Sequence, residues 1–221
     1  MELHMLKPLT GLLISYLLGA IPTAYLFGRL FKGIDLRQHG SGNLGATNAF
    51  RVLGKGAGTL VLAIDILKGT AAVLLSRYVF FDPLANISMP FYLCLAAVCA
   101  VAGHNWTVFL CFKGGKGVAT SLGVLIAFSI LIEKFSILVL LVTGAWLVIF
   151  LATGFVSLAS VICSAVLPVL GLILKLPVSI EIFMAILGIF SIIRHKTNIY
   201  RLLHKKESRF NTASLFKKVF K

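Results

Sequence analysis

Charged residues are scarce in this chain. Asp, Glu, Lys and Arg make up 13% of its 221 residues, about half the share found in soluble globular domains. Hydrophobic residues make up 59% of the chain and occur in long runs. This composition excludes an ordinary soluble domain. It predicts an all-α integral membrane protein in which each long apolar run is a helix.

Cysteine is also sparse, and its placement gives no sign of a metal site. Cys94, Cys99, Cys111 and Cys163 lie in or beside apolar runs, without the spacing of metal ligands. We interpret them as small hydrophobic core residues. The N-terminal segment lacks the small residues of a signal-peptide cleavage site, so its apolar run is expected to be the first membrane span.

Seven apolar runs are bounded by charge, glycine or proline, and they predict about seven transmembrane helices. They lie near residues 8–31, 58–81, 88–110, 118–132, 135–152, 155–175 and 178–194. The fourth run is short for a bilayer crossing, which takes about 20 residues. Five spans with a long folded segment therefore remain the alternative.

Acidic residues are the rarest charged class, and their scarcity gives a net charge of +14. In a soluble protein this charge would suggest a nucleic-acid partner. With seven spans, however, every Lys and Arg outside the spans falls on one side, except Lys7, Arg77, Lys134 and Lys175. The positive-inside rule then places the C-terminus in the cytoplasm and the N-terminus outside. We expect the charge to orient the chain in the lipid bilayer and to meet anionic lipid or substrate, with no nucleic acid bound.

A polar, glycine-rich segment interrupts the apolar sequence at residues 40–58, GSGNLGATNAFRVLGKGAG. It contains a G-x-G-x-x-G pattern, but no strand precedes the pattern and no βαβ unit follows it, which excludes a dinucleotide site. An anion site is favoured instead, because glycine N–H groups and the planar fork of Arg51 suit phosphate oxygens. We expect residues 48–51 to form a helical turn. A solvated re-entrant loop is the alternative.

A second segment places Gly114-Gly115-Lys116-Gly117 directly before an apolar run. It is not a Walker A loop, because Gly117 follows Lys116 and the earlier glycine is missing. Backbone N–H groups and a cation at a helix N-terminus nevertheless favour an anion. In the alternative interpretation, Lys113 and Lys116 are interfacial lysines that close a membrane loop.

The third segment, residues 194–203, leaves the last span with the sequence RHKTNIYRLL. At helical spacing Arg194, Asn198 and Arg201 share a face, which predicts an amphipathic surface helix. A basic patch beside the membrane is the alternative. Within the second span, Asp65 and Lys68 stand three residues apart and are expected to form an ion pair. Lining a substrate pocket is their alternative role.

Six stretches of the chain, taken in order, resemble one known family. The chain resembles the acyl-phosphate-dependent glycerol-3-phosphate acyltransferases of bacterial membranes, the PlsY family. The matching stretches are residues 15–29, 40–58, 65–69, 102–123, 156–160 and 194–203. The resemblance implies seven transmembrane helices in the bacterial inner membrane, with the active site facing the cytoplasm. It implies transfer of a fatty acyl group from acyl-phosphate to the 1-hydroxyl of glycerol 3-phosphate, giving lysophosphatidic acid and phosphate, without a metal or other cofactor.

The resemblance also implies roles for individual residues. It places catalysis on Ser41, Arg51, His195 and Asn198. Substrate and phosphate binding fall on Gly42, Asn43, Gly45, Thr47, Asn48, Lys113, Gly114, Gly115, Lys116, Gly117, Arg201 and Glu207. His195 is a candidate base for the hydroxyl proton, being the group that titrates near neutrality. The rival base is the phosphate of the acyl-phosphate itself, and we favour it because His195 stands among cations.

Two positions depart from the family pattern. Gly154 stands where a basic residue is usual, and Lys205 replaces a glycine two residues before Glu207. We expect residues 1–204 to form one polytopic membrane domain, residues 205–221 to be a basic cytoplasmic tail, and the protein to be a monomer. A transporter for a phosphorylated small molecule is the alternative function, although the two halves lack the similarity of inverted repeats.

Overall fold

The computed structural model describes residues 2–132 and 134–210, and these residues form an all-helical fold without β-strands. The predicted all-α fold is thereby confirmed. The α-helices of the described residues are α1 (Glu2–Ala20), α2 (Thr23–Lys32), α3 (Ala46–Val52), α4 (Lys55–Leu75), α5 (Met89–Asn105), α6 (Val118–Leu131), α7 (Phe135–Thr153), α8 (Val156–Ile173), α9 (Val178–Arg194) and α10 (Lys196–Leu203).

Fewer segments are long enough to cross a bilayer than the seven predicted. Within the described ranges five qualify: His4–Lys32, Lys55–Phe80, Met89–Leu110, Phe135–Thr153 and Val156–Ile173. A sixth is counted if α9 and α10, which meet at a bend of 61°, form one broken span. Each predicted run contains at least one helix, but α6 has only 14 residues and spans about 21 Å.

The first predicted run is broken into two helices at Ile21 and Pro22. Proline has no N–H and its ring clashes with the preceding turn, so α1 ends before it. The carbonyl oxygen of Ile21 accepts a hydrogen bond of 2.8 Å from Nζ of Lys68. Lys68 also forms the expected ion pair with Asp65, at 2.9 Å, and both side chains are buried. This carbonyl oxygen also accepts from the N–H of Thr23 at 3.0 Å, so Lys68 adds a second hydrogen bond at the helix break.

Two glycines allow α4 and α6 to pack at close range. A Cβ on Gly69 would run into the carbonyl oxygen of Thr120, and a Cβ on Gly123 into that of Ile66. Small residues let helix backbones approach in this way inside membranes. The contact therefore brings Gly69 and Gly123 to about the same depth in the bundle.

This register explains why α6 is short. Because α4 and α6 are separated by one intervening span, they run in the same direction, and Val118 lies level with Ile64. The start of α4 at Lys55 lies nine residues earlier, which is about 14 Å along the helix. The loop before α6 therefore enters the depth that α4 spans, and α6 needs fewer residues to reach the far side.

Aromatic packing joins the later helices near the end of α6 and the start of α7. The ring of Phe128 lies 5.2 Å from the ring of Phe135 and 5.2 Å from that of Phe183. These three side chains are almost fully buried. Aromatic pairs of this kind contribute about 0.5–1.5 kcal/mol beyond their buried area. They fix α6, α7 and α9 relative to one another, and α9 carries the third polar segment.

Candidate active site

The first polar segment is held in shape by a buried amide. The expected helical turn is present as α3, and Asn48 on it is fully buried. Its Oδ1 accepts from the backbone N–H of Ser41 at 2.9 Å. Its Nδ2 donates to the carbonyl oxygens of His39, at 3.0 Å, and Leu36, at 3.3 Å. Asn48 was expected to touch substrate, but here its amide bonds only backbone groups and shapes the loop around Ser41.

The other predicted donors of this segment stay available. Ser41 is exposed, and Gly42, Asn43, Gly45 and Thr47 are partly exposed. Among the described residues, the side chains of Ser41, Asn43 and Thr47 form no hydrogen bond, so they can donate to a bound anion. The segment also meets the second one, since a Cβ on Gly115 would lie 2.9 Å from the carbonyl oxygen of Leu44.

Arg194 clamps the second segment. Its Nη2 donates to the carbonyl oxygen of Gly114 at 2.7 Å, and its Nε donates to that of Gly115 at 2.8 Å. The guanidinium also lies over the ring of Trp106, 5.9 Å from its centroid. Sequence reasoning placed Arg194 on a basic helix face and missed this role, because acceptors on the backbone leave no sequence pattern.

The end of this loop can only be glycine. Gly117 precedes α6 with φ = +78°, and a Cβ there would lie 2.7 Å from Oδ1 of Asn105. Near Gly117, both polar atoms of the Asn105 side chain and Oγ1 of Thr120 are buried. They have no hydrogen-bond partner in the part of the chain that the structure describes. Buried polar groups left unpaired are rare in native proteins and often mark functional sites.

A hydrogen-bond network unites the second and third segments. Nζ of Lys116 donates to Oδ1 of Asn198, whose Nδ2 donates to Oε1 of Glu207 at 2.6 Å. Glu207 also accepts from Oγ of Ser157 at 2.8 Å and from Nε of Arg201 at 2.7 Å. Ser157 lies in a stretch that carries the family resemblance, but sequence reasoning gave it no role.

The turn that brings Glu207 back to Arg201 is a Schellman motif. The N–H of Lys206 donates to the carbonyl oxygen of Arg201 at 2.7 Å, and that of Lys205 donates to Leu202 at 3.1 Å. Lys205 takes the left-handed position, with φ = +57°, which glycine usually fills. The departure at Lys205 thus leaves the turn intact, and Glu207, expected in a tail, lies in the site. Residues 211–221 of that tail lie outside the described residues.

Positive charge gathers around Lys116. The pKa of Lys116 is lowered to about 8, chiefly by burial. The charges of Arg201, Arg194 and Arg51 lower it further, while Glu207 opposes them. Lys116 and the three arginines therefore lie together with a single carboxylate, and this surplus of positive charge suits a site for anions. Lys113, by contrast, is exposed, and the structure describes no hydrogen bond of its side chain.

His195 is buried at the junction of α9 and α10, with 2% of its surface exposed. Its Nδ1 lies 2.8 Å from the carbonyl oxygen of Ser191. A carbonyl oxygen only accepts, so Nδ1 carries the proton and Nε2 of the neutral ring is an acceptor. Burial, followed by the nearby charge of Lys116, lowers the pKa of His195 to about 4. The ring is therefore neutral near pH 7 and can accept a hydrogen bond.

Comparison with known proteins identifies the family of this chain. A family model described as glycerol-3-phosphate acyltransferase matches residues 9–205. The chain belongs to the glycerol-3-phosphate acyltransferase family. It is 42% identical over 202 residues to a glycerol-3-phosphate acyltransferase of Synechocystis sp., covering 90% of this chain and 88% of that protein. Over 198 residues it is 43% identical to one of Bacillus velezensis, covering 90% and 95%. The resemblance and the activity class that it implied are confirmed.

Solved structures of a family member agree with this fold. The crystal structure of PlsY in its glycerol 3-phosphate form aligns with a TM-score of 0.83 and 38% identity, covering 95% of this chain and 98% of that one. The lysophosphatidic acid form of PlsY aligns with a TM-score of 0.80, covering 93% and 96%. PlsY is an integral membrane protein, and the long apolar helices of this chain indicate the same for this protein. In the part of the chain that the structure describes, no group of three His, Cys, Asp or Glu side chains could hold a metal ion.

Proposed function

We propose that this chain transfers a fatty acyl group from acyl-phosphate to the 1-hydroxyl of sn-glycerol 3-phosphate, forming lysophosphatidic acid and phosphate. The three polar segments together form the proposed site. The Lys and Arg distribution supports a cytoplasmic position for this site in a bacterial inner membrane. We also propose that the protein is a monomer.

The convergence of Arg51, Arg194 and Arg201 on Lys116, with Glu207 as the one carboxylate among them, is the observation that carries this proposal. Both substrates bear a phosphoryl group, so the site must hold two anions close together. Arginine forks suit phosphate oxygens, and the loop glycines add backbone donors. One carboxylate among four cations leaves enough positive charge for this task.

The reaction needs orientation more than activation, because the acyl-phosphate is already a reactive anhydride. The 1-hydroxyl oxygen attacks the acyl carbon, the bond from that carbon to the phosphate oxygen breaks, and phosphate leaves. Nε2 of His195 accepts a hydrogen bond from the hydroxyl and so aims its oxygen. With a pKa of about 4, His195 is a weaker base than a phosphate group, whose second pKa is about 6. The departing phosphate therefore takes the proton, while Lys116 and the loop amides stabilise the developing charge.

The test is to mix purified protein in lipid with acyl-phosphate and glycerol 3-phosphate. We expect equal amounts of lysophosphatidic acid and phosphate, no product when acyl-CoA replaces acyl-phosphate, and no effect of EDTA. Failure to form product, combined with uptake of glycerol 3-phosphate into sealed vesicles, would establish the transporter alternative instead.

Two histidines provide a matched pair for the role of His195. Nδ1 of His204 donates to the carbonyl oxygen of Tyr200 at 2.8 Å, as Nδ1 of His195 does to that of Ser191, but His204 is exposed. His195→Gln should lower kcat strongly, whereas His204→Gln should leave it unchanged. With a pKa of about 4, His195 does not change charge between pH 6 and 8, so His195→Gln should lower kcat by the same factor throughout this range. A factor that changes with pH would contradict the positioning role of the neutral ring.

A further inference from the structure

Residues 208–210 lie against the proposed site although they fall beyond the region that the family model matches. The N–H of Phe210 donates to the carbonyl oxygen of Gly154 at 2.9 Å. The ring of Phe210 meets the ring of Phe150 edge-on, with the centroids 5.9 Å apart. Phe210 is therefore held by both its backbone and its side chain at the start of the α7–α8 turn.

Arg51 rests on this aromatic ring. Its guanidinium carbon lies 4.9 Å from the centroid of Phe210, and its Nη2 donates to the carbonyl oxygen of Ser208 at 3.3 Å. Arg51 belongs to a short helix of seven residues, and its own side chain is long and exposed. Without such contacts, a side chain of this length loses considerable rotamer entropy when it binds a ligand.

The geometry of the contact decides whether it assists or blocks binding. An aromatic ring covers a face of the guanidinium, whereas the N–H donors point outward in its plane. The carbonyl of Ser208 engages one of the five donors, and the remaining fork can still bind phosphate oxygens. The contact thus holds Arg51 in place and leaves it able to bind.

We propose that Phe210 is a positioning residue, which acts through Arg51 to pre-organise the phosphate site. This inference rests on the proposed role of Arg51. Pre-organisation lowers the cost of binding rather than the barrier of the chemical step. Loss of the ring should therefore raise KM for the substrate that Arg51 holds more than it lowers kcat.

Gly154 makes this arrangement possible. A Cβ at this position would lie 2.6 Å from the carbonyl oxygen of Phe210 and 2.8 Å from Cγ of Arg209. Gly154 also has φ = +74°, which disfavours other residues. The departure from the family pattern at Gly154 thus provides the space in which residues 209 and 210 dock.

The experiment compares steady-state kinetics of three variants in lipid, with both substrates varied. Phe210→Leu keeps an apolar side chain and the backbone hydrogen bond but removes the π-face. We expect kcat/KM to fall about two- to fivefold, the range for an exposed cation–π contact, with most of the change in KM. Phe210→Trp keeps the π-face and should restore KM. Gly154→Ala displaces the docked residues and should raise KM as Phe210→Leu does.

Further variants separate this inference from the proposed function. In Arg51→Gln, adding Phe210→Leu should cause no additional loss, because the ring acts only through Arg51. Tyr25→Leu removes a similar aromatic contact from Arg29 and Arg37 and should leave KM unchanged. If Arg51→Gln retains full activity, the proposed role of Arg51 is wrong. If Arg51→Gln is impaired but Phe210→Leu has normal KM values, or if the two losses simply add, the positioning role of Phe210 is wrong.

Discussion

Lys116 should give the activity an alkaline limit that a replacement by arginine removes. Its pKa is lowered to about 8 by burial and by Arg201, Arg194 and Arg51. Because this pKa is lowered, Lys116 loses its proton as pH rises through 8. The ammonium that binds phosphate is then replaced by a neutral amine. Glycerol 3-phosphate does not change charge there, since its second phosphate pKa is about 6.

The size of the effect follows from the fraction of Lys116 that is protonated. With a pKa of about 8, roughly three-quarters of the free enzyme carries the charge at pH 7.5, and roughly 3% carries it at pH 9.5. If the charged form alone binds substrate, kcat/KM falls about 25-fold across this range. The pH dependence of kcat/KM reports the free enzyme, where this pKa applies.

The assay measures initial rates of lysophosphatidic acid formation from pH 7 to 9.5, at several concentrations of glycerol 3-phosphate, with spontaneous hydrolysis of acyl-phosphate subtracted. Lys116→Arg keeps its charge throughout, because the pKa of arginine exceeds 12, so its profile should be flat even if its activity is lower. A flat wild-type profile, or an equal decline in Lys116→Arg, would refute the assignment.

Three further predictions concern stability and the network around Glu207. Thr120→Val removes a buried hydroxyl without a described partner and should raise Tm. Its control, Thr107→Val, breaks a 2.6 Å hydrogen bond to the carbonyl oxygen of Ala20 and should lower Tm by an amount equivalent to about 1 kcal/mol. A lower Tm for Thr120→Val than for Thr107→Val would contradict this prediction. Lys205→Gly relieves a left-handed backbone and should stabilise the protein by about 0.5–1 kcal/mol, while Lys206→Gly, measured in the same denaturation assay, should destabilise it. Glu207→Gln removes a carboxylate that accepts three hydrogen bonds and should lower kcat/KM more than tenfold, because hydrogen bonds to charged groups contribute about 1.5–3 kcal/mol each; unchanged kinetics would show that the network is dispensable.

Much of the fold was predictable, because apolar runs in a membrane chain have few alternatives to helices. The Asp65–Lys68 pair was also predictable, since two buried charges three residues apart on a helix face the same side. The helix break at Ile21, whose carbonyl oxygen accepts from Lys68, was missed, because the apolar run continues through Pro22. The predicted seven spans exceed the five or six candidate spans of the described residues, because α6 is short and α9 qualifies only together with α10.

Some residues of the candidate site were predictable from the sequence, and others were not. Side chains with a recognisable pattern, such as Lys116 and Asn198, were predicted as site residues, and the structure bonds them to each other. Partners that act through the backbone or from distant turns were not. Ser157 and Phe210 reach the site only after the chain folds, and neither has a neighbour in sequence that indicates its role.

The depth of the site explains why Arg194 was beyond sequence reasoning. The loop before α6 enters the depth that α4 spans, and non-helical backbone is tolerated there only when its polar groups find partners. The N–H groups of Gly114 and Gly115 donate to the carbonyl oxygens of Asn105 and His104, at 3.2 and 2.9 Å, and both glycine carbonyls accept from Arg194. Arg194 therefore completes the pairing of a loop that the glycine contact between α4 and α6 has drawn inward. At that depth both glycine carbonyls need a donor, and the planar fork of Arg194 supplies two at once. Lysine lacks this fork and would not replace it.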